Sequence, residues 1–134
     1  EIGNNVYHCN AISDSGNNVY DIFSKKPVVV FSNDDLLAKV EASKDILKGF
    51  RLIPYQTISS SGLLPVFHPE KITIVSNEGR TYRPDVMVGV VASSYSGERA
   101  VINPRIIFHS ARPKRIKTFL DTEIFIRHFF VMSH

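Results

Sequence analysis

Tyr82-Arg83-Pro84-Asp85-Val86-Met87-Val88 is the run on which the reading of the fold turns. Proline has no amide hydrogen to give to a ladder, so Pro84 fits only near the beginning or the edge of a strand. From Val86 to Ala92 the chain is apolar and uncharged, and Asp85 therefore stands at the mouth of a core strand. Upstream, Lys71-Ile72-Thr73-Ile74-Val75 alternates as a strand does, and Asn77-Glu78-Gly79 reads as the turn of a hairpin that returns through Thr81 to Ala92. Downstream, Ser93 to Gly97 is a loop, and a third strand lies within Arg99 to His109, interrupted by Pro104.

The outer segments complete the pattern. Pro113 suits the first turn of a helix carrying Ile116, Phe119 and Leu120. Ile124 to Met132 is apolar and β-rich, interrupted by Arg127 and His128, and reads as a last strand, with a helix running on as the alternative. Before the central run, Ser32 followed by Asp35 has the spacing of a capping box, and Leu36, Leu37, Val40 and Leu47 form an apolar stripe that Gly49 ends. Phe50 to Ile58 alternates as a strand, and Ser59-Ser60-Ser61-Gly62 reads as a loop. Val28 to Phe31 is apolar on both faces, as a buried strand is. Gly3-Asn4-Asn5-Val6-Tyr7 recurs as Gly16-Asn17-Asn18-Val19-Tyr20, each copy read as a turn that delivers a strand, so the first thirty residues form a hairpin or meander. The expected architecture is an α/β (α+β) fold, a mixed sheet with two flanking helices. The 134 residues make a single domain, 1–31 being a β-rich segment and 32–134 the core.

Charge is unevenly spread. Residues 1–79 hold seven basic and nine acidic side chains, residues 80–117 eight and two, and the rest one and two, so the segments carry −2, +6 and −1. Clustering matters more than the total, because surface charges more than about 8–10 Å apart are screened at physiological salt. Arg80, Arg83, Arg112, Lys114, Arg115 and Lys117 are the candidate contacts to a polyanion, with DNA or RNA as the expected partner.

The Pro-Asp run and the element order around it resemble the restriction-endonuclease-like, or PD-(D/E)xK, superfamily over roughly residues 33–133. That resemblance implies a metal-dependent phosphodiesterase in which Asp85 helps to hold Mg²⁺, which can lower the pKa of a bound water. A second acid with a lysine two residues later is expected on the next strand, yet Arg105-Ile106-Ile107-Phe108-His109 occupies that place. Glu41 and His109 are then the candidate auxiliary metal ligands. The resemblance implies either an atypical nuclease or a degenerate relative that retains binding.

Other chemistries lack their signatures. Cys9 is the only cysteine, so an internal disulfide is impossible, and a reducing, cytoplasmic or intracellular compartment is expected. His8 beside it would point to the opposite face of a strand. Phosphate-binding glycine loops and the Gly-x-Ser-x-Gly elbow are absent, and no apolar run approaches the about 20 residues that cross a bilayer. No signal peptide is visible, and the first residue, Glu1, leaves open an excised or processed chain. A second reading is a non-enzymatic viral or phage assembly protein that self-associates or whose basic strip meets an acidic protein or a packaged genome.

Overall fold

The computed structural model describes residues 2–13, 18–56, 61–76, 78–93, 99–103 and 122–131. Their strands are β1 (Ile2–Ser13), β2 (Val28–Ser32), β3 (Arg51–Gln56), β4 (Ser61–Phe67), β5 (Lys71–Val75), β6 (Thr81–Tyr82), β7 (Met87–Val91), β8 (Arg99–Ile102) and β9 (Thr122–Val131). They form one mixed sheet in the order β3-β4-β7-β2-β8-β1-β9-β5-β6. The helix α1 (Asp34–Ser43) follows β2. β2 runs parallel to β7 and β1 parallel to β8, while β2 and β8 are antiparallel.

Chain connectivity forces this sheet to curl. Tyr82 and Met87 bound β6 and β7, which stand six strand steps apart in the sheet order. A flat sheet would separate them by about 29 Å, at about 4.8 Å per step. Five fully extended residues reach at most about 18 Å. Curling brings Ile72, Ile74 and Tyr82 into the same apolar cluster as Phe31, Val88 and Val90.

The run Val28 to Phe31 is apolar throughout because its residues alternate between two cores. Val29 and Phe31 join Leu36 and Val40 of α1, together with Phe67, Ala100 and Ile102. Val28 and Val30 join Ile53, Leu64, Val66 and Met87 on the opposite face, where Val19, Tyr55 and Val91 pack against them. Gly89 faces the second of these clusters: a Cβ there would lie 2.7 Å from Leu64 Cδ2 and 3.0 Å from Val28 Cγ1. Gly89→Ala should therefore destabilise by about 1–3 kcal/mol through overpacking, checked by urea unfolding.

The helix begins one residue later than the sequence suggests. Asn33, not Ser32, is the cap, and its buried Oδ1 accepts the Leu36 amide at 2.9 Å. Asp34 and Asp35 occupy the first turn, where acids oppose the helix dipole. The helix also stops at Ser43 rather than running to Gly49, although Leu47 still packs into the core.

Four further expectations change. The two flanking helices are not borne out: α1 is the only helix among the described residues, and the segment read as the second lies outside them. Gly3-Asn4-Asn5 is not a turn but part of β1, which pairs with β9 from Ile2↔Val131 to Ala11↔Thr122. The hairpin after Lys71 to Val75 involves only Thr81 and Tyr82, because Pro84 ends that pairing and β7 goes on to join β2 and β4. Ser61 and Gly62, read as loop, open β4. Among the described residues, no helix is long and apolar enough to cross a membrane.

Candidate functional site

One edge of the sheet gathers the polar groups that the two cores leave over. β1 and β8 are parallel, with Ser13 opposite Ile102, so their carboxyl ends emerge together. β2 is antiparallel to β8 and parallel to β7, which places the amino ends of β2 and β7 on that same edge. Asn103 follows β8 there and is 5% exposed, and its Nδ2 donates to Oδ1 of Asn18 at 3.2 Å.

The segment from Asn18 to Pro27 folds back onto this edge. Val28 N donates to the Val19 carbonyl at 2.9 Å, and Tyr20 bridges to Pro27. Asp21, wholly buried, ties the turn: it accepts from Ser24 Oγ at 2.7 Å and from the Phe23 and Ser24 amides at 3.3 Å, with Arg51 Nε at 3.4 Å. Burial alone would raise its pKa, but these donors and the guanidinium outweigh burial and hold the carboxyl below its ordinary value. Lys25 closes the turn in the left-handed region at φ 61°.

Asp85 lies on the same edge and is already neutralised. Its Oδ1 is 3.0 Å from Lys26 Nζ and 3.5 Å from His68 Nε2, and its side chain is 72% exposed. The hydrogen bond from Lys26 is the main influence that lowers its pKa, partial burial opposes it, and His68 adds to the lowering. A lowered carboxylate favours the folded state above its unfolded pKa of about 3.9, and that contribution is lost as pH falls through the lower folded value. Lys26→Ala should therefore return the Asp85 titration, followed by carboxyl NMR, toward about 3.9. Stability at neutral pH should scarcely change, because an exposed pair contributes little.

The cleft beside Asp85, about 210 Å³, is lined by His68, Glu70, Lys71 and Arg83 among others. Glu41 instead lines a separate groove with Lys44, Phe50, Leu52 and Leu63. His109 lies outside the described residues, and among those described no group of three or more His, Cys, Asp and Glu side chains could hold a metal. Asp85 and Glu41 therefore do not come together as a Mg²⁺ site. Arg83 reaches the Asp85 cleft, whereas Arg80 is exposed at the turn before β6, where its carbonyl accepts the Ser76 amide at 2.8 Å. Arg112, Lys114, Arg115 and Lys117 lie outside the described residues.

Asp14-Ser15-Gly16 runs into the second copy of the Gly-Asn-Asn-Val-Tyr pattern at Gly16 to Tyr20, which masks the acid before it. The available signal was an acid followed by a hydroxyl and a glycine at the end of an alternating stretch. Asp14 to Asn17 lie outside the described residues, but Ser13 and Asn18 on either side are placed at the edge just described.

Comparison with known proteins supplies the context. The sporulation factor SpoIIGA family matches residues 1–106. The sporulation sigma-E factor-processing peptidase of Bacillus subtilis (strain 168) is 24% identical over 131 residues, covering 80% of this chain and 42% of the relative. The chain thus spans less than half the length of that curated relative. No solved structure matches.

These findings overturn the nuclease reading and its alternative. The PD-(D/E)xK resemblance rested on a Pro-Asp dipeptide and an element order, and the structure gives that dipeptide a different setting, a curled sheet with Asp85 ion-paired to Lys26. A peptidase relative likewise replaces the nucleic-acid-binding domain with its DNA or RNA partner, and the viral or phage assembly protein with its acidic partner. The match over residues 1–106 places the chain in the sporulation factor SpoIIGA family.

Proposed function

We propose that this chain is the peptide-hydrolysing region of its protein, that sigma-E factor is the polypeptide it cuts, and that Asp14 supplies a catalytic carboxylate. The observation that supports this most is the peptidase relative, taken with an Asp-Ser-Gly run that follows in the sequence on Ser13, the last residue of β1.

Peptide bonds are hydrolysed by an activated Ser or Cys, by metal-bound water, or by water held between two carboxylates that share a proton. Cys9 fits the first route poorly: it packs against the core cluster, and its neighbour His8 lies on the opposite face of β1. The second route has no ligand set among the described residues. For the third, four of the placed acids are already committed to structure. Asp21 ties a turn, Asp34 accepts the Ser93 amide at 2.8 Å, Asp35 accepts the Tyr7 hydroxyl at 2.9 Å, and Asp85 pairs with Lys26.

Asp14 has the right chemistry beside it. A neighbouring serine hydroxyl can donate to a carboxylate, and glycine permits close approach of a polypeptide backbone. Asp-Ser-Gly occurs once in the sequence, so the chain contributes one carboxylate of the pair through this run. Two carboxylates held together cannot both ionise, and the retained proton polarises the scissile carbonyl while the ionised partner takes a proton from water.

The test is incubation of the purified protein with purified sigma-E factor, with the new termini read by mass spectrometry. Cleavage at one defined bond, insensitive to chelators and to alkylation of Cys9, is the expected result. Cleavage abolished by either treatment would refute the carboxylate route.

A further inference from the structure

We propose that the turn at residues 22–25 docks on the surface of an anionic lipid bilayer, with Ile22 and Phe23 entering the layer between headgroups and acyl chains. Nothing in this docking requires the Asp14 chemistry.

Turn tips are ordinarily built from Gly, Asn, Asp, Ser or Pro, whose backbones reverse easily. Here the tip carries two large apolar side chains in succession. Tyr20 bridges to Pro27, and Asp21 N donates to the Lys26 carbonyl at 2.9 Å, which closes the loop behind residues 22–25. Ile22 is 68% and Phe23 69% exposed, the highest values for large apolar side chains among the described residues, and Tyr20 behind them is 45% exposed. The tip is held outward by its own bonding. Asp21 accepts from the Phe23 and Ser24 amides and the Ser24 hydroxyl, and the Arg51 guanidinium lies 4.8 Å from the centre of the Phe23 ring. Little conformational freedom is then left to lose on docking.

Charge and size select the occupant. Lys25 is exposed in the tip, Lys26 follows it, and Arg51 overhangs Phe23. The two nearby carboxylates do not cancel this outward: Asp21 is wholly buried, and Asp85 lies 3.0 Å from Lys26 and 3.5 Å from His68. Apolar side chains ringed by cations match the acyl boundary and phosphate layer of an anionic bilayer, where Lys and Arg keep their charged ends among the headgroups. A protein partner fits less well. Tyr20, Ile22 and Phe23 at these exposures present roughly 400 Å², short of the about 800 Å² per partner that a stable protein interface buries.

The chain has no tryptophan, so an introduced one reports on its own surroundings. Phe23→Trp should shift its emission to the blue when vesicles of equal parts phosphatidylcholine and phosphatidylglycerol are added, and brominated acyl chains should quench it. Leu63→Trp, which puts the reporter on β4 in the groove beside Glu41, should show neither effect. In cosedimentation with the same vesicles, the double variant Ile22→Ser, Phe23→Ser should bind at least about tenfold more weakly, since burying one such side chain contributes about that factor. Lys25→Gln should weaken binding about fivefold, and added salt should act in the same direction. All three positions are exposed, so the fold is kept, and thermal unfolding of each variant records this.

Absence of binding to these vesicles, equal binding to phosphatidylcholine alone, equal spectral shifts at positions 23 and 63, or undiminished binding of the double serine variant would overturn the proposal. So would a blue shift of Phe23→Trp on adding sigma-E factor with none on adding vesicles, which would assign the tip to a protein. The readout is binding rather than cleavage, so each of these results leaves the proposed role of Asp14 untouched.

Discussion

Asp14→Asn is expected to lower the rate of sigma-E factor cleavage by at least about 10³-fold, within the range that loss of a positioned acid or base produces. Asparagine has nearly the same shape as aspartate but can neither accept the proton of an attacking water nor share one with a second carboxylate. The loss should therefore fall on kcat, and the substrate should still bind. Asp85→Asn is the matched control. Asp85 stands at the sheet edge where β1 ends, but Lys26 and His68 hold it as an ionised, largely exposed carboxylate. Its replacement should leave cleavage within about threefold of wild type, since an exposed ion pair contributes at most about 1 kcal/mol. Equal losses in the two variants would mean that the edge as a whole, rather than Asp14, carries the activity.

Phe31→Ala is expected to be the most damaging substitution in the core. Phe31 is 1% exposed and stands on β2, the strand that feeds both apolar layers, on the face covered by Leu36 and Val40 of α1. Truncating a buried phenylalanine removes its transfer free energy and leaves a cavity, together about 3–5 kcal/mol. Against a typical domain stability of about 5–15 kcal/mol, that is a large share. The urea midpoint should fall steeply, and activity at physiological temperature should fall with the folded fraction. Leu63→Ala, which alters a side chain 63% exposed on β4, should by contrast shift stability by no more than about 0.5 kcal/mol.

The sequence carried much of the fold where periodicity was strong. Val28 to Phe31 and Lys71 to Val75 were legible because their apolar residues fall on the faces that the structure buries, and the last strand because its composition is apolar and β-rich. The helix was legible from Leu36 and Val40, but its cap was placed one residue early because Ser32 and Asn33 are both good capping residues. β4 was hidden, since Ser61, Gly62 and Pro65 all suggest a break, yet the strand is stabilised by pairing with β3 and β7. The curl of the sheet was not legible at all. It follows from which strands pair over long range, and no local pattern states that Pro84 separates β6 from a strand six places away.

The site was misjudged for a related reason. Charge density drew attention to Arg80 through Lys117, and a Pro-Asp dipeptide at a strand mouth gave that density a chemical meaning. In the structure Asp85 is the partner of Lys26, a residue far upstream that no spacing rule connects to it. Asp14 carries no such charge signature. The edge at which β1 ends becomes visible only when the parallel pairing of β1 with β8 and the Asn103 bond to Asn18 bring distant segments together.

The pH dependence of kcat for sigma-E factor cleavage, measured in the presence of a metal chelator, tests the central claim most directly. Hydrolysis by two carboxylates that share one proton predicts a single optimum flanked by an acid limb and an alkaline limb, since both the fully protonated and the fully ionised pairs are inactive. The chelator should leave the curve unchanged. A rate that climbs to a plateau at alkaline pH, or one that disappears when metal is removed, would contradict the account.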